Sequence, residues 1–310
     1  MTRSVIGLFL ALVFPLSASA DDLYISGGGG GGGSPTTTGG QGGDYAGNGD
    51  GNFGGGGGGY VGDGSSLAGD GSGSNGGGHH ADSIPGWNTS ATDGSNGVSP
   101  VSGGAGGNAA ASRTGDSSAY DNIRVVGGMG GMSSGMNDAG QGGDAALSVS
   151  GKLSVNAELH VVSGFNGANA GGAGGKASFT AGALAAPRIL LSKIDGGLTV
   201  NVGVLDVTAN DTILYLTSTN ASDVVFHNIN LGGGHTLTLS RYFGGDFSFN
   251  TLNVYGAATY TDSNPLNAVG KALNFYVPAG TTSGTTLLTV TGDADITNSV
   301  VNIALQGTST

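Results

Sequence analysis

From Gly270 to Leu305 the chain reads GKALNFYVPAGTTSGTTLLTVTGDADITNSVVNIAL, a series of short runs in which apolar and polar positions alternate between turns. Leu273, Phe275 and Val277 alternate with Ala272, Asn274 and Tyr276. Leu288 and Val290, then Ala294 and Ile296, then Val301, Ile303 and Leu305 follow, each set separated by Gly, Thr, Asp or Asn. A period of two predicts half-buried strands, because successive strand side chains point to opposite faces. The close, regular spacing of the runs predicts stacked coils.

The same texture begins near Ala145. Leu147 and Val149, Leu153 and Val155, and Leu159 and Val161 precede a Gly/Ala loop at residues 164–176, then Phe179. Pro187 stands before Ile189–Leu191; lacking an amide proton, it belongs at a strand entrance or corner. Beyond it the apolar centres fall near Leu190, Val202, Leu214, Phe226 and the pair Leu237/Leu239, a step of roughly 12 residues. That step suits a coil of two or three short strands. About 160 residues at ~24 per coil and ~4.8 Å per layer make a rod on the order of 30 Å long. Along Leu198, Val200, Val202 and Val204 the inward set is even-numbered, but it switches to Leu205 and Val207, so a bulge or corner is expected there. Asn210-Asp211, Asn220, Gly232–Gly234 and Gly244-Gly245-Asp246 supply turns.

Before Ala145 the alternation gives way to glycine: the runs Gly27–Gly33 and Gly54–Gly59, and Gly-Asp, Gly-Ser and Gly-Asn pairs to about Asn137. Glycine loses the most backbone entropy on ordering, so this composition predicts poorly ordered loops over residues 27–118. The competing reading takes Leu23-Tyr24-Ile25, Tyr60-Val61 and Ile123–Val126 as short strands separated by glycine loops that protrude from a stack. Four segments, Gly39–Asp44, Gly103–Asn108, Gly140–Asp144 and Gly171–Lys176, share one spacing and mark an internal repeat. The first matches one copy of a G-G-x-G-x-D calcium nonapeptide. Each ion there takes ligands from two adjacent turns, and no tandem copy stands beside it, so no calcium site is assigned.

Composition narrows the partners. The 310 residues include 67 Gly, with 9 Lys plus Arg against 21 acidic residues, a net charge of −12. Nucleic acid and anionic lipid both need a basic patch and are not expected. With aromatics at 6 %, the interior is to be built from Leu, Val, Ile and a few Phe. There is no Cys, so disulfides do not hold the fold. Residues 1–20 carry Arg3, an apolar run from Val5 to Phe14, Pro15, and Ala18 and Ala20 in an A-x-A arrangement. These are the marks of a secretory signal peptide, with cleavage expected after Ala20 and a mature start at Asp21. The expected division is a signal peptide at 1–20, a glycine-rich low-complexity region at 21–144 and a β-solenoid region at 145–310.

Candidate chemistry is sparse. His79-His80 near Asp82 are loose metal-ligand types in a Gly/Ser/Asp loop, without support for a closed coordination shell. His160, His227 and His235 are scattered and read as outward polar positions. Asp293 and Asp295 form D-A-D and share a strand face, an arrangement of paired acids, but they read more simply as a turn residue and an outward neighbour. Trp87, the only Trp, is a loop anchor or a lone stacking platform. No G-x-S-x-G elbow occurs, and no helix follows the glycine runs to cradle phosphate. No catalytic, cofactor-binding or metal residue is assigned, and no cofactor or enzymatic activity is expected. The alternative is a carbohydrate-active β-helix enzyme, a polysaccharide lyase or hydrolase, which requires several acids gathered across neighbouring coils, with Asp206, Asp211, Asp293 and Asp295 as the candidates.

The segment Gly151–Gly307, with GKLSVNAELHVVSG, INLGGGHTLTL, FNTLNVYG and especially KALNFYVPAGTTSGTTLLTVTGDADITNSVVNIAL, resembles the passenger region of bacterial autotransporters, the type V secretion system. The resemblance covers about half of the chain. It implies an all-β, right-handed parallel β-helix, here with a glycine-rich, partly disordered N-terminal half. It also implies display at the cell surface or outer membrane, or release outside the cell, often as an adhesin. Such passengers are carried by a C-terminal β-barrel. Up to Thr310 there is no run of ~10-residue membrane strands ending in an aromatic residue, so an outer-membrane translocator is expected in trans or is missing from this chain. The other expected partner is an unidentified cell-surface or host receptor, held through many weak contacts.

Overall fold

The computed structural model describes residues 21–30, 80–95, 104–128, 130–131, 140–164, 166, 174–193, 196–217, 223–242 and 247–307. The expected signal peptide, Gly39–Asp44, Tyr60-Val61, His79, Asn220 and Gly244–Asp246 lie outside these residues. The described chain is all-β, and among the described residues there is no helix, hence none long and apolar enough to cross a membrane. The strands are β1 (Asp21–Ser26), β2 (His80–Ala81), β3 (Asn88–Ala91), β4 (Ala109–Arg113), β5 (Ser117–Val126), β6 (Ala145–Val162), β7 (Ala177–Ala185), β8 (Arg188–Ser192) and β9 (Leu198–Val207). They continue as β10 (Thr212–Thr217), β11 (Asp223–Gly232), β12 (Thr236–Tyr242), β13 (Ser248–Tyr255), β14 (Ala258–Asp262), β15 (Leu266–Asn267), β16 (Ala272–Val277), β17 (Leu288–Thr291), β18 (Ala294–Asp295) and β19 (Val300–Leu305).

All but β15 and β18 join one long sheet, within which two ladders of parallel strands run in register. The first takes β4, the start of β6, then β7, β9, β11, β13, β16 and β19. The second takes β1, the ends of β5 and β6, then β8, β10, β12, β14 and β17. Register places like above like. Leu153, Leu184, Leu205, Ile229, Leu252, Leu273 and Val301 form one column, and Leu23, Ile123, Leu159, Ile189, Leu214 and Leu239 another. All of these except Val301 are buried, so the interior is a stack of aliphatic rungs. Leu205 pairs with Ile229, about 24 residues on; the step of roughly 12 in the apolar pattern is half of one layer.

The switch of inward parity along β9 occurs at Gly203, where Val202 and Leu205 are buried and Val204, expected inward, is only half-buried. Gly203 sits over Gly182 and Gly182 over Gly151. A Cβ on Gly203 would lie 2.3 Å from the Gly182 oxygen, so each bend nests directly on the one beneath it. Two of the three isolated apolar markers, Leu23–Ile25 and Ile123–Val126, are strand residues of β1 and β5.

The glycines between the second ladder and the first form a different structure. Gly107 N–H donates to Gly28 O at 2.6 Å, Gly128 to Gly107 at 2.8 Å, Gly143 to Gly128 at 2.7 Å, Gly164 to Gly143 at 2.9 Å and Gly175 to Gly164 at 3.0 Å. Legs leaving β1, β5 and β6 thus alternate with legs entering β4, β6 and β7, bonded without any strand. Contacts that leave no room for a Cβ recur at Gly27 and Gly30, Gly127 and Gly130, and Gly140 and Gly143. A spacing of three is that of an extended threefold helix, in which one residue per turn faces each neighbour. Most of residues 27–118, where poor order is expected, lie outside the described set; among the described glycines Gly27, Gly28, Gly104, Gly106 and Gly107 are tied by backbone bonds. The described parts of three of the four repeat segments, residues 104–108, 140–144 and 174–176, supply the entering legs of successive layers. Their closing residues stack too: Asn108 Oδ1 accepts Asp144 N–H at 2.8 Å, and Asp144 Oδ1 accepts Lys176 N–H at 2.7 Å.

The two ends of the sheet differ. At the first, β2 pairs antiparallel with β1 and β3 antiparallel with β4. Trp87, just before β3, is buried edge-on against Tyr120 with centroids 5.9 Å apart, and its Nε1–H donates to the Tyr120 hydroxyl at 3.0 Å. Trp87 is therefore the anchor of this closure. At the other end the apolar residues read as stack members are open: Ile296, Val301, Ile303 and Leu305 are exposed, because β19 has a neighbour on one side only among the described residues.

Candidate functional site

Towards the β3 end, outward positions of the first ladder form uncharged columns of polar and small residues. Asn88, Ser112, Ser148, Thr180 and Asn201 stand in one, and Ser90, Ala110, Ala146, Ser178 and Thr199 in the next. Thr180 Oγ1 donates to Ser148 Oγ at 2.9 Å. Between them lies a shallow groove of about 300 Å³ whose lining carries hydroxyls, methyls and one amide and no titratable group. The column continues in kind along the sheet. His227 Nε2 lies 2.9 Å from Asn201 Oδ1 and Asn250 Nδ2 lies 3.1 Å from His227 Nδ1. Beside it, Asn253 donates to Asn230, Asn274 to Asn253 and Asn302 to Asn274, each at 2.8 Å. Tyr255 and Tyr276 stack with centroids 4.6 Å apart. Such a face can hydrogen-bond and pack against an extended polar ligand.

The charged residues singled out in the sequence are placed apart, each with structural partners. Asp82 Oδ2 accepts Tyr24 N–H at 2.7 Å, and His80 lies in β2 opposite Ser26. Asp206 accepts from Lys152 Nζ at 2.8 Å and from Thr208 Oγ1 at 2.6 Å, and the lysine holds its carboxyl below the usual range in spite of partial burial. Asp211 accepts Thr236 N–H at 2.8 Å and faces His235 Nδ1 at 3.4 Å. Asp295 caps its own turn through Thr297 N–H at 2.9 Å, and the Thr297 side chain together with this amide lowers its pKa. Asp293 supplies its carbonyl to Leu266 N–H. Asp206 lies in the register column that runs through Asn230, Asn253 and Asn274 to Asn302, four layers along, whereas Asp295 belongs to the separate β15–β18 pair. Among the described residues no three His, Cys, Asp or Glu are gathered as metal ligands.

Two clusters escape a reading of the sequence. Glu158 accepts from Arg124 Nη2 at 2.9 Å and Arg188 Nη1 at 2.7 Å, with His160 Nε2 at 3.1 Å. Burial opposes ionisation of Glu158, but His160 and the two arginines outweigh it and hold the carboxyl low. Burial, with Arg124 beside it, pushes the His160 pKa down to about 4, so the ring is neutral at pH 7. Further along, Arg241 clasps Asp262 through Nε at 3.0 Å and Nη2 at 2.6 Å, and the Tyr260 hydroxyl donates to the same carboxylate at 2.8 Å. Burial pushes the Tyr260 phenol strongly up, and the Asp262 charge adds to it. Both clusters bind neighbouring layers together and leave no free base. The chain matches no protein-family model, curated protein or solved structure.

Proposed function

We propose that this chain is an exported, autotransporter-like passenger whose layers wind as a right-handed parallel β-helix and serve a structural and adhesive role at the cell surface or outside the cell. The observation that carries the reading is the outward column Ser112–Ser148–Thr180–Asn201, one uncharged hydrogen-bonding group per layer in strict register. Each group binds weakly in water, where a hydrogen bond nets only about 1 kcal/mol. A ladder at strand spacing multiplies such contacts against an extended surface or glycan. The resemblance over Gly151–Gly307 and the signal-peptide pattern of residues 1–20 support export. The test is adhesion of the full chain to whole cells and arrayed oligosaccharides. Ser148→Lys combined with Thr180→Lys changes only exposed side chains. Loss of binding with an unchanged circular dichroism spectrum fits the reading; binding that persists in the double variant sinks it.

A further inference from the structure

We propose that the β19 end of the sheet is a self-association surface, on which two copies of the chain join tail to tail by antiparallel pairing of their β19 strands about a two-fold axis at Ile303. All the large apolar side chains that are exposed among the described residues, Val269, Ile296, Val300, Val301, Ile303 and Leu305, lie here, with Ile303 70 % and Leu305 81 % exposed. Beneath them an apolar cavity of about 380 Å³ opens between Leu273, Phe275, Leu288, Val290, Ile296 and Val301. An edge strand that has no second neighbour among the described residues, lying over such a patch, is a template for another strand.

Three observations select a second copy in this orientation. The opposite end is capped on both ladders by the short antiparallel strands β2 and β3, of 2 and 4 residues, which offer far less edge than the 6 residues of β19, so head-to-tail stacking has little to pair with. From Ile296 to Gly307 no residue is charged, which makes this end the place where two chains of net charge −12 can touch. Finally, the strand is complementary to itself. Residues opposite one another in an antiparallel pair share a face, so centring on Ile303 sets it against Ile303 of the second copy. Val301 then meets Leu305, and on the outer face Asn302 meets Ala304. The joint is isologous and closes at two. Because β18 directly precedes β19, the antiparallel joint sends Asp293 and Asp295 of the two copies to opposite ends of the interface.

The experiment is sedimentation of the full chain over rising concentration at low and high salt, together with cross-linking at one position. A monomer–dimer equilibrium that tightens with salt is expected, since salt screens the repulsion between two acidic bodies. Ile303→Asp sets two carboxylates together at the axis and should weaken the dimer at least tenfold while the monomer keeps its circular dichroism. The chain has no cysteine, so Ile303→Cys places one thiol per copy. Directly opposed Cβ atoms lie ~4.5–5.5 Å apart, near enough to a disulfide's reach for oxidation by air to link them. Thr180→Cys, far along the sheet, should not link. Monomers at millimolar protein in high salt, a dimer unaffected by Ile303→Asp, or equal cross-linking at positions 180 and 303 would each overturn the proposal.

Discussion

The strand-lined interior and the glycine legs bury chain by opposite means. In the first, Leu, Ile and Val stack in columns such as Leu205–Ile229–Leu252–Leu273, and stability scales with apolar surface removed from water. In the second there is almost nothing but backbone: Gly107, Gly128, Gly143, Gly164 and Gly175 bond one to the next through their own amides. Glycine's entropy cost on ordering is offset there by satisfying peptide groups in a packed environment, not by side-chain burial. The two regions are therefore sensitive to opposite substitutions. The interior fails when atoms are removed, the glycine legs when a single methyl is added.

The sharpest way to break this comparison is Gly143→Ala. Its Cβ would lie 1.9 Å from the Gly107 oxygen and 2.6 Å from its carbon, and both are backbone atoms that cannot rotate away. A loss of more than about 3 kcal/mol is expected, beyond ordinary overpacking. Gly197→Ala is the matched control: nothing lies within 4 Å of its Cβ, and a gain of about 0.5 kcal/mol is expected from reduced freedom of the unfolded chain. Urea midpoints of both variants check the pair; equal effects would erase the distinction. In the interior, Ile229→Ala removes a fully buried side chain and should cost about 3 kcal/mol by the same measurement.

Acid separates the regions by another route. The folded pKa of His160 is depressed below its unfolded value, so the stability it confers is present above about pH 6.5 and lost as pH falls towards about 4. Glu158, also held low, acts in the same direction below its ordinary range. A loss of roughly 1–2 kcal/mol by pH 4 is expected, seen as faster amide exchange around Leu159 before Gly128, and His160→Gln should flatten the part between pH 6.5 and 4. Last, Asn253→Ala interrupts the asparagine ladder and should cost about 1 kcal/mol, read from thermal unfolding.

The columns were legible because strand alternation writes itself into the apolar pattern: Leu147, Leu159, Val202 and Leu214 are all buried where the period of two places them. Trp87 was legible as an anchor, and the glycine repeats as equivalents, since three of them occupy the same corner in successive layers. The glycine bonding was not, because composition reports the absence of side chains and not which amides meet. Nor were the charge clusters. Glu158 lies 34 residues from Arg124, and Asp262 lies 21 from Arg241. Only the layer length makes such pairs neighbours, and that length varies with each glycine excursion. The exposure of Ile303 and Leu305 likewise depends on whether another strand lies beyond them, which alternation alone does not express.

The most direct test of the account is residue-resolved amide hydrogen exchange at Gly107, Gly128, Gly143, Gly164 and Gly175 in the folded chain. Protection comparable to that of Val202 in the strand interior is predicted, since each of these amides has a buried carbonyl partner at 2.6–3.0 Å. Exchange at the rate of an unstructured peptide, with Val202 still protected, would contradict the claim that glycine here builds a packed layer of its own.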